Sequence, residues 1–329
     1  MPKVSIITAT YTLDRLPDVK QLLDSVNRQT NPDFDLFIVV ERMPELVEMI
    51  SAYIAENNYC SMKVIYNQGP GGASANRNLA IGQAEGEIIA FVDDDAVVST
   101  DWVSEIVRVF SEDESVIGVT GPITPLWQTD TAADWVPPEF YWIFSCTGSS
   151  FNEKVEVRNG YCTNLSFKKE AFQKVGLFDT GLGVKGRGRG GWQEPGGEET
   201  ELAIRIKDIT GKRIVYDPAV IVQHRVYAYR LSRNFISRRA FWEGYAKALL
   251  SKRFRERGKK NGVLATERSL LKKILFFRLP LTFALLFNKP RLACRQLGLI
   301  ITVLSCVAAG YLRFYFGIIL SGKKYEMRS

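Results

Sequence analysis

The chain has 329 residues, 46% hydrophobic and 24% charged, a globular composition that excludes disordered, collagen-like and low-complexity classes. Its formal net charge of +7 hides a division: residues 1–224 carry 20 Lys/Arg against 32 Asp/Glu, net −12, whereas residues 225–329 carry 23 against 4, net +19. An acidic globular part joined to a basic tail argues against one partner for the whole surface. No nucleic acid is expected as partner, because the acidic part lacks any RNP, helix-turn-helix or zinc-finger pattern.

In chain order, residues 4–8 read as a buried strand and 16–29 as a helix with Leu22, Leu23 and Val26 at helical spacing. A strand at 36–40, a helix at 44–57 and a strand at 63–66 follow. A third helix, 71–84, is entered through glycines, and 88–92 is a fourth strand. Strands alternating with helices imply crossover connections, which predicts an α/β fold: a doubly wound, mostly parallel sheet with helices on both faces. Residues 127–144 are irregular and aromatic. Strands near 163–168 and 213–216 extend the sheet, with a glycine-rich loop at 181–197 and a helix at 198–209 between them.

The sequence divides into a catalytic or binding domain, 1–230, and a basic helical tail, 231–329. The tail holds two candidate membrane segments. Residues 274–287 are short and interrupted by Arg278 and Pro280; residues 297–320 carry one charge, Arg313, and are long enough to span a bilayer. The blocks 252–260 and Lys272/Lys273 suit anionic headgroups on a cytoplasmic face, so the tail predicts membrane association, as a single span or a re-entrant pair. A buried helical tail away from any membrane is the alternative. Five cysteines (Cys60, Cys146, Cys162, Cys294, Cys306) without C-x-x-C spacing argue against a zinc ribbon or disulfide scaffold and fit a reducing compartment. The apolar run at 4–11 is too short for a secretory h-region, so the working part is expected in the cytoplasm, at the cell membrane.

The strongest chemical signal is Asp93-Asp94-Asp95, directly after the strand at 88–92. Three carboxylates at the carboxyl end of a parallel-type strand repel one another where such sheets bind ligands, and a divalent cation with oxygen ligands would neutralise them. A solvated helix cap is the plainer explanation. Before it lies Gly69-Pro-Gly-Gly-Ala-Ser-Ala-Asn-Arg-Asn78, whose glycines allow close approach and whose Arg77 could reach a phosphate or a base edge. Gly196-Gly197-Glu198-Glu199-Thr200-Glu201 starts a helix a hundred residues later. A carboxylate held ionised at that N-terminus beside an open pocket can act as general base, although capping and surface charge explain the run as well. His224, the sole histidine, follows a strand-like run, and an imidazole beside carboxylates suits a Mn2+ or Mg2+ site.

These features, in this order, resemble glycosyltransferase family 2 with its GT-A fold. Val4-Ser-Ile-Ile-Thr-Ala-Thr-Tyr11 is similar to that family's first strand, whose end (Thr8, Thr10, Tyr11) would hold the nucleoside. Glu41 stands where the family usually has an Asp near the base. Asn76-Arg77-Asn78 and Phe91-Val-Asp-Asp-Asp95 match its helix start and Asp-x-Asp motif. Gly197-Glu198-Glu199-Thr200-Glu201-Leu202 matches the segment that supplies the base, with Glu199 for the usual Asp, and Asp217-Pro218 followed by His224 is similar to the late metal-binding histidine. The likeness covers residues 3–230. Pro125-Leu-Trp127, Pro138-Glu-Phe-Tyr-Trp142, Val157-Arg-Asn159, Asn164-Leu-Ser-Phe167, His224-Arg-Val-Tyr-Ala-Tyr-Arg230 and Arg239-Ala-Phe-Trp-Glu-Gly-Tyr245 resemble, more narrowly, archaeal glucosyl-dolichyl phosphate glucuronosyltransferases, which extend a lipid-linked sugar during protein glycosylation. The basic balance and the Gly/Arg loop 181–197 depart from their haloarchaeal members.

The resemblance implies a metal-dependent inverting transfer of a sugar, glucuronate among the candidates, from a nucleotide diphosphate sugar, most simply a UDP-sugar, to a hydroxyl of a lipid-linked sugar acceptor. Asp95 and His224 would hold the metal. Thr8, Thr10, Tyr11, Glu41, Arg77, Asp93 and Asp94 would bind the donor, and Glu199, or its neighbour Glu198, would be the base. Lys185, Arg187 and Arg189 could close over a diphosphate or remain solvated. Trp135, Phe140, Tyr141 and Trp142 could stack on sugar rings, lie on a bilayer or pack in a core. A non-catalytic nucleotide-sugar or lipid-binding scaffold is the competing class. A nucleotide-dependent oxidoreductase is disfavoured, because no G-x-G-x-x-G follows the first strand and no G-K-[ST] occurs.

Overall fold

In the computed structural model, which describes residues 2–129, 132–147, 151–183, 195–256 and 263–321, the strand–helix alternation starts as the apolar pattern predicts. Strand β1 (Val4–Thr10) leads through a 3-10 turn, Leu13–Arg15, into α1 (Leu16–Asn27), whose first turn holds Pro17, a residue that needs no amide partner there. β2 (Phe34–Glu41), α2 (Pro44–Glu56), β3 (Met62–Asn67), α3 (Ala73–Ile81) and β4 (Ile88–Phe91) continue it. Then come β5 (Ala96–Val98), α4 (Trp102–Glu112), β6 (Val116–Thr120), β7 (Ile123–Trp127), the short α5 (Ala132–Trp135) and a 3-10 stretch, Pro138–Phe144. β8 (Val155–Val157), β9 (Leu165–Lys168), α6 (Lys169–Val175), α7 (Glu198–Thr210), β10 (Arg213–Tyr216) and β11 (Val222–Val226) follow. The remainder is helical: α8 (Arg233–Glu256), α9 (Ala265–Lys273), a π-helical turn Ile274–Arg278, α10 (Leu279–Asn288) and α11 (Pro290–Ser321).

Among the described residues the main sheet has the order β3-β2-β1-β4-β9-β6-β10-β8. The pairs β3–β2, β2–β1, β1–β4 and β6–β10 are parallel; β9 runs antiparallel between β4 and β6, and β8 is an antiparallel edge. Successive side chains go to opposite faces. Val4, Ile6, Leu36, Ile38, Val40, Ile88 and Ala90 pack against α1, α2 and α4, whereas Ile7, Phe37, Val39, Ile89 and Phe91 pack against α3, α6 and α7. Both faces are therefore covered, and each fully buried Leu, Ile or Phe contributes about 1.5–3 kcal/mol relative to exposure. The crossovers direct the strand ends carrying Thr10, Glu41 and Asp93 to one rim of the sheet. A second sheet, β5-β11-β7, stands apart from the main one in pairing.

The chain forms two units. One lies within residues 1–126, 145–193 and 198–226 and contains the main sheet. The other lies within 127–144, 194–197 and 227–329, so the aromatic segment between β7 and β8 groups with the helical tail. In this second unit α8 and α11 cross at backbone contact. A Cβ at Gly244 would lie 2.0 Å from the Val307 carbonyl oxygen, and one at Gly310 would lie 1.9 Å from that of Phe241. Phe140 is buried here, Trp135 is covered by the Arg295 guanidinium 4.7 Å from its ring centre, and Tyr141 packs edge-on against Trp127. Phe140 and Trp135 thus pack inside this unit, while Tyr141 is half-buried. Of the glycine-rich loop, residues 184–194, with Lys185, Arg187 and Arg189, lie outside the described residues.

Candidate active site

The aspartate triplet leaves β4 in a turn closed by the Ala96 amide donating to the Asp93 carbonyl at 3.2 Å, and the chain re-enters as β5. β5 pairs antiparallel with β11 so that Ala96 faces His224, and the Arg225 amide donates to the Asp95 carbonyl at 3.0 Å. Backbone pairing thereby carries the histidine to the triplet across 129 positions of sequence. His224 Nε2 lies 2.9 Å from Asp95 Oδ1 and 4.0 Å from Asp93 Oδ2, and its Nδ1 lies 3.6 Å from the buried Cys146 thiol. Single ligand atoms of Asp93, Asp95 and His224 all fall within 4.8 Å of one another, a mixed carboxylate–imidazole donor set that fits a Mn2+- or Mg2+-like cation. The Cys146 contact orients the ring, as outer-shell partners of metal-binding histidines do.

Burial would discharge the imidazole, but the Asp95 carboxylate outweighs it and pushes His224 up to about 10. Arg15, from the 3-10 turn, donates to the other Asp95 oxygen and lies 3.9 Å from Asp94 Oδ1. Burial drives Asp94 up to about 7 although Arg15 opposes the shift. Thr163, in the loop before β9, donates its hydroxyl to Asp93.

The other side of the site is a helix start. Gly197, with φ of 103°, a region that disfavours side chains, precedes α7. Glu198 and Glu199 occupy its first turn. Arg77, on α3, joins the two sides: its guanidinium lies 3.8 Å from Asp93, 3.1 Å from Glu198 and 3.8 Å from Glu199. Burial, with the neighbouring Glu198 charge, pushes Glu199 up to about 7 against the pull of Arg77. The Cys162 amide lies 3.4 Å from Glu199 Oε1.

The residues expected from sequence to bind a donor line the same rim less tightly. Thr8 and Thr10 are buried in β1 with Tyr11 exposed beyond them, and the Thr8 hydroxyl makes no hydrogen bond among the described residues. Glu41 ends β2 and accepts from the Gly72 amide at 2.7 Å and from Asn76 Nδ2 at 2.8 Å. A Cβ at Gly71 would come 2.1 Å from Glu41 Oε1, so a side chain there would displace that carboxylate from its bonds. Glu41 thus secures the glycine-rich turn that starts α3, and it is not among the clustered ligand groups. The site also contains Arg15, Cys146, Cys162 and Thr163, which no motif in the sequence marks as site residues, and Asn164 lies in the frame behind them. Asn164 is wholly buried: Trp102 Nε1 donates to its Oδ1 at 2.9 Å, and its Nδ2 donates to the Val220 and Pro122 carbonyls at 2.7 and 3.2 Å. That asparagine ties α4 and the approaches to β7 and β11 into one frame.

Comparison with known proteins identifies the family and the fold. A glucosyl-dolichyl phosphate glucuronosyltransferase of Haloferax volcanii is 30% identical over 249 residues, 75% of this chain and 77% of that protein. The mannosyltransferase PcManGT of Pyrobaculum calidifontis, solved with GDP-Man and Mn2+, superimposes with a TM-score of 0.62 at 17% identity, covering 96% of this chain and 88% of that one. GalNAc-T7, solved with UDP, GalNAc and Mn2+, gives 0.53 at 15% identity over 82% of this chain and 54% of that one. At such identities the two structures speak for the GT-A-like fold. Residues 5–176, more than half the chain, match the glycosyl transferase family 2 domain, and with the Haloferax relative this makes the chain a member of glycosyl transferase family 2 and a glycosyltransferase.

Proposed function

We propose that this glycosyltransferase moves a sugar from a nucleotide diphosphate sugar, a UDP-sugar first among them, to a hydroxyl of a polyprenyl phosphate-linked sugar, with inversion at the anomeric carbon. What supports the reading most is the convergence of Asp93, Asp95 and His224 opposite a carboxylate, Glu199, whose pKa is pushed up to about 7, with Arg77 between them.

In this reading the nucleoside lies beyond the ends of β1 and β2, against Thr8, Thr10, Tyr11 and Glu41, in the crevice at the carboxyl ends of the strands. Asp93, Asp95 and His224 would hold Mn2+ or Mg2+, which supplies Lewis-acid stabilisation of the leaving diphosphate. Arg77 places a fixed positive charge where negative charge develops, a pre-set field that needs no rearrangement during the reaction. Asp94 is held beside Arg15 and shapes the same wall. Glu199 takes the proton of the acceptor hydroxyl as that oxygen attacks from the face opposite the leaving group. Glu198 is the poorer candidate, because its carboxylate is nearer the Arg77 guanidinium and more deeply buried. The Haloferax relative supports a dolichyl-type acceptor and a glucuronate donor, and the basic tail supports work at a membrane's cytoplasmic face.

Radiolabelled sugar transfer to polyprenyl phosphate-linked acceptors, with a panel of nucleotide sugars and Mn2+, tests the reading. Glu199→Gln is expected to lower turnover by about 10²–10⁴-fold, the range for removing a general base, while donor affinity stays nearly unchanged. Wild-type turnover in the purified variant rejects the assignment.

A further inference from the structure

A helix lying on a water-soluble protein turns its apolar side inward and its polar side out. The segment made of the π-helical turn Ile274–Arg278 and α10 does the reverse. Its inward stripe is Ile274, Arg278 and Thr282, four residues apart. Arg278 donates to both oxygens of the buried Glu139 carboxylate, at 2.9 and 3.3 Å. Thr282 donates to the Arg278 carbonyl at 2.9 Å, with Gln296 of α11 at 3.2 Å. The outward sides are apolar: Phe276 is 71% exposed, Phe277 67% and Phe287 91%, with Leu275, Leu281 and Phe283 also exposed. No charge interrupts residues 279–288, while Lys272 and Lys273 precede the segment, and Lys289 and Arg291 follow it, all exposed.

Length and flanking charge decide how such a surface meets lipid. Five π-helical and ten α-helical residues rise about 22 Å, short of the roughly 30 Å hydrocarbon layer. Cations at both ends hold both ends at headgroup level. The 28-residue stretch Pro290–Gly317 of α11, which contains an 18-residue window of mean hydropathy 1.9, is long enough to cross. Its far half, however, is in backbone contact with α8 at Gly244 and Gly310, and the Tyr245 and Phe314 rings meet edge-on at 5.2 Å. At that level α8 carries Arg239, Glu243 and Lys247, with Lys247 bridging Glu243 and Glu267 at 3.0 Å each. Arg233, Arg238, Lys252, Arg253 and Arg255 lie on the same helix, and charges of that number oppose placing it, and the α11 segment packed on it, in hydrocarbon.

We propose that the helical unit binds the surface of an anionic lipid bilayer in the membrane plane: the Phe276–Phe287 segment immerses its aromatic and aliphatic side chains at the headgroup–acyl boundary, its flanking lysines and arginines meet lipid phosphates, and α11 supports it without spanning. This goes beyond the transfer reaction, to which it is linked by the membrane that a lipid-linked acceptor requires.

Flotation of the full chain on phosphatidylcholine vesicles, with and without phosphatidylglycerol, tests it, with alkaline carbonate extraction of the bound protein. Binding is expected to need phosphatidylglycerol and to be released by carbonate. The triple variant Phe276→Asp, Phe277→Asp, Phe287→Asp is expected to lose vesicle binding by more than about ten-fold, because three buried aromatic contacts are replaced by charge. The same three positions changed to Leu are expected to retain it, which separates loss of apolarity from loss of fold. The wild type resisting carbonate, the Asp variant still floating, or a dimer in vesicle-free solution that the Asp variant dissolves would each overturn the proposal. Metal-dependent protection of each variant by nucleotide sugars is read separately, so failure of membrane docking and failure of the transferase reading are told apart.

Discussion

At the Asp95 side of the site, charges are placed by backbone pairing, whereas at the Glu199 side they stand on the first turn of a helix. The β5–β11 register fixes His224 against Asp95, and Arg15 and Thr163 fill the remaining carboxylate positions. On the other side of the site, Glu198 and Glu199 share Arg77 and little else that is charged positive among the described residues, and burial leaves Glu199 up at about 7. The rigid side suits the holding of a cation and a diphosphate; the side poised near neutrality suits proton transfer.

Breaking the rigid side gives the largest effect. Asp95→Asn keeps the shape but removes the charge that faces both His224 and Arg15. The expected outcome is loss of Mn2+-dependent protection by a nucleotide sugar, with turnover down about 10³-fold, at the upper end of losses for one electrostatic group. Unchanged metal-dependent protection in thermal unfolding would show that the cation is held elsewhere.

The poised side is sharpened by pH. As the proposed base, Glu199 has to be ionised, and its pKa is raised to about 7, so the ionised fraction, and with it the expected rate, fall as pH drops below that value. From pH 7 to 5 a decline of roughly ten-fold per unit is expected in single-turnover assays at saturating donor. Glu199→Gln is expected to remove that limb, leaving a low and flat profile. A wild-type profile that is level between pH 5 and 8 contradicts the assignment.

The contrast also explains what the sequence reveals and what it leaves hidden. β1 through β4 are legible because each alternates apolar side chains between two helix layers, and the aspartate triplet stands out because it follows such a run. The glutamate pair is legible as a helix start. His224 can be suspected as a ligand from its type, but its route to Asp95 depends on two strands of three and five residues, too short to mark themselves locally. β9 is legible as a strand, yet its antiparallel insertion between β4 and β6 is a long-range choice with no local signature. Arg15 resembles any surface arginine until the chain folds it onto Asp95. The segment 274–288 is the opposite case: its apolar composition is plain, but the inward turn of Arg278 and Thr282 becomes visible when Glu139 and Gln296 are seen beside them.

The smallest effect separates frame from chemistry. Asn164 bonds Trp102, Pro122 and Val220 without facing the clustered ligand groups. Asn164→Ala strands the buried Trp102 indole N–H and the Val220 carbonyl, while the Pro122 carbonyl keeps the Val222 amide, and unsatisfied buried groups are worth about 1–3 kcal/mol each when water cannot reach them. The variant is expected to unfold more readily by about 2–3 kcal/mol in urea, since partial repacking relieves some of that penalty. Metal retention should weaken, because Val220 leads directly into β11 and hence to His224. The pH midpoint near 7 should stay, because the side-chain partners lost with Asn164, Trp102, Pro122 and Val220, are not among the groups that shift Glu199. A shift of that midpoint would mean that the two sides are mechanically coupled through the frame, and that Arg77 is not the sole charged link between them.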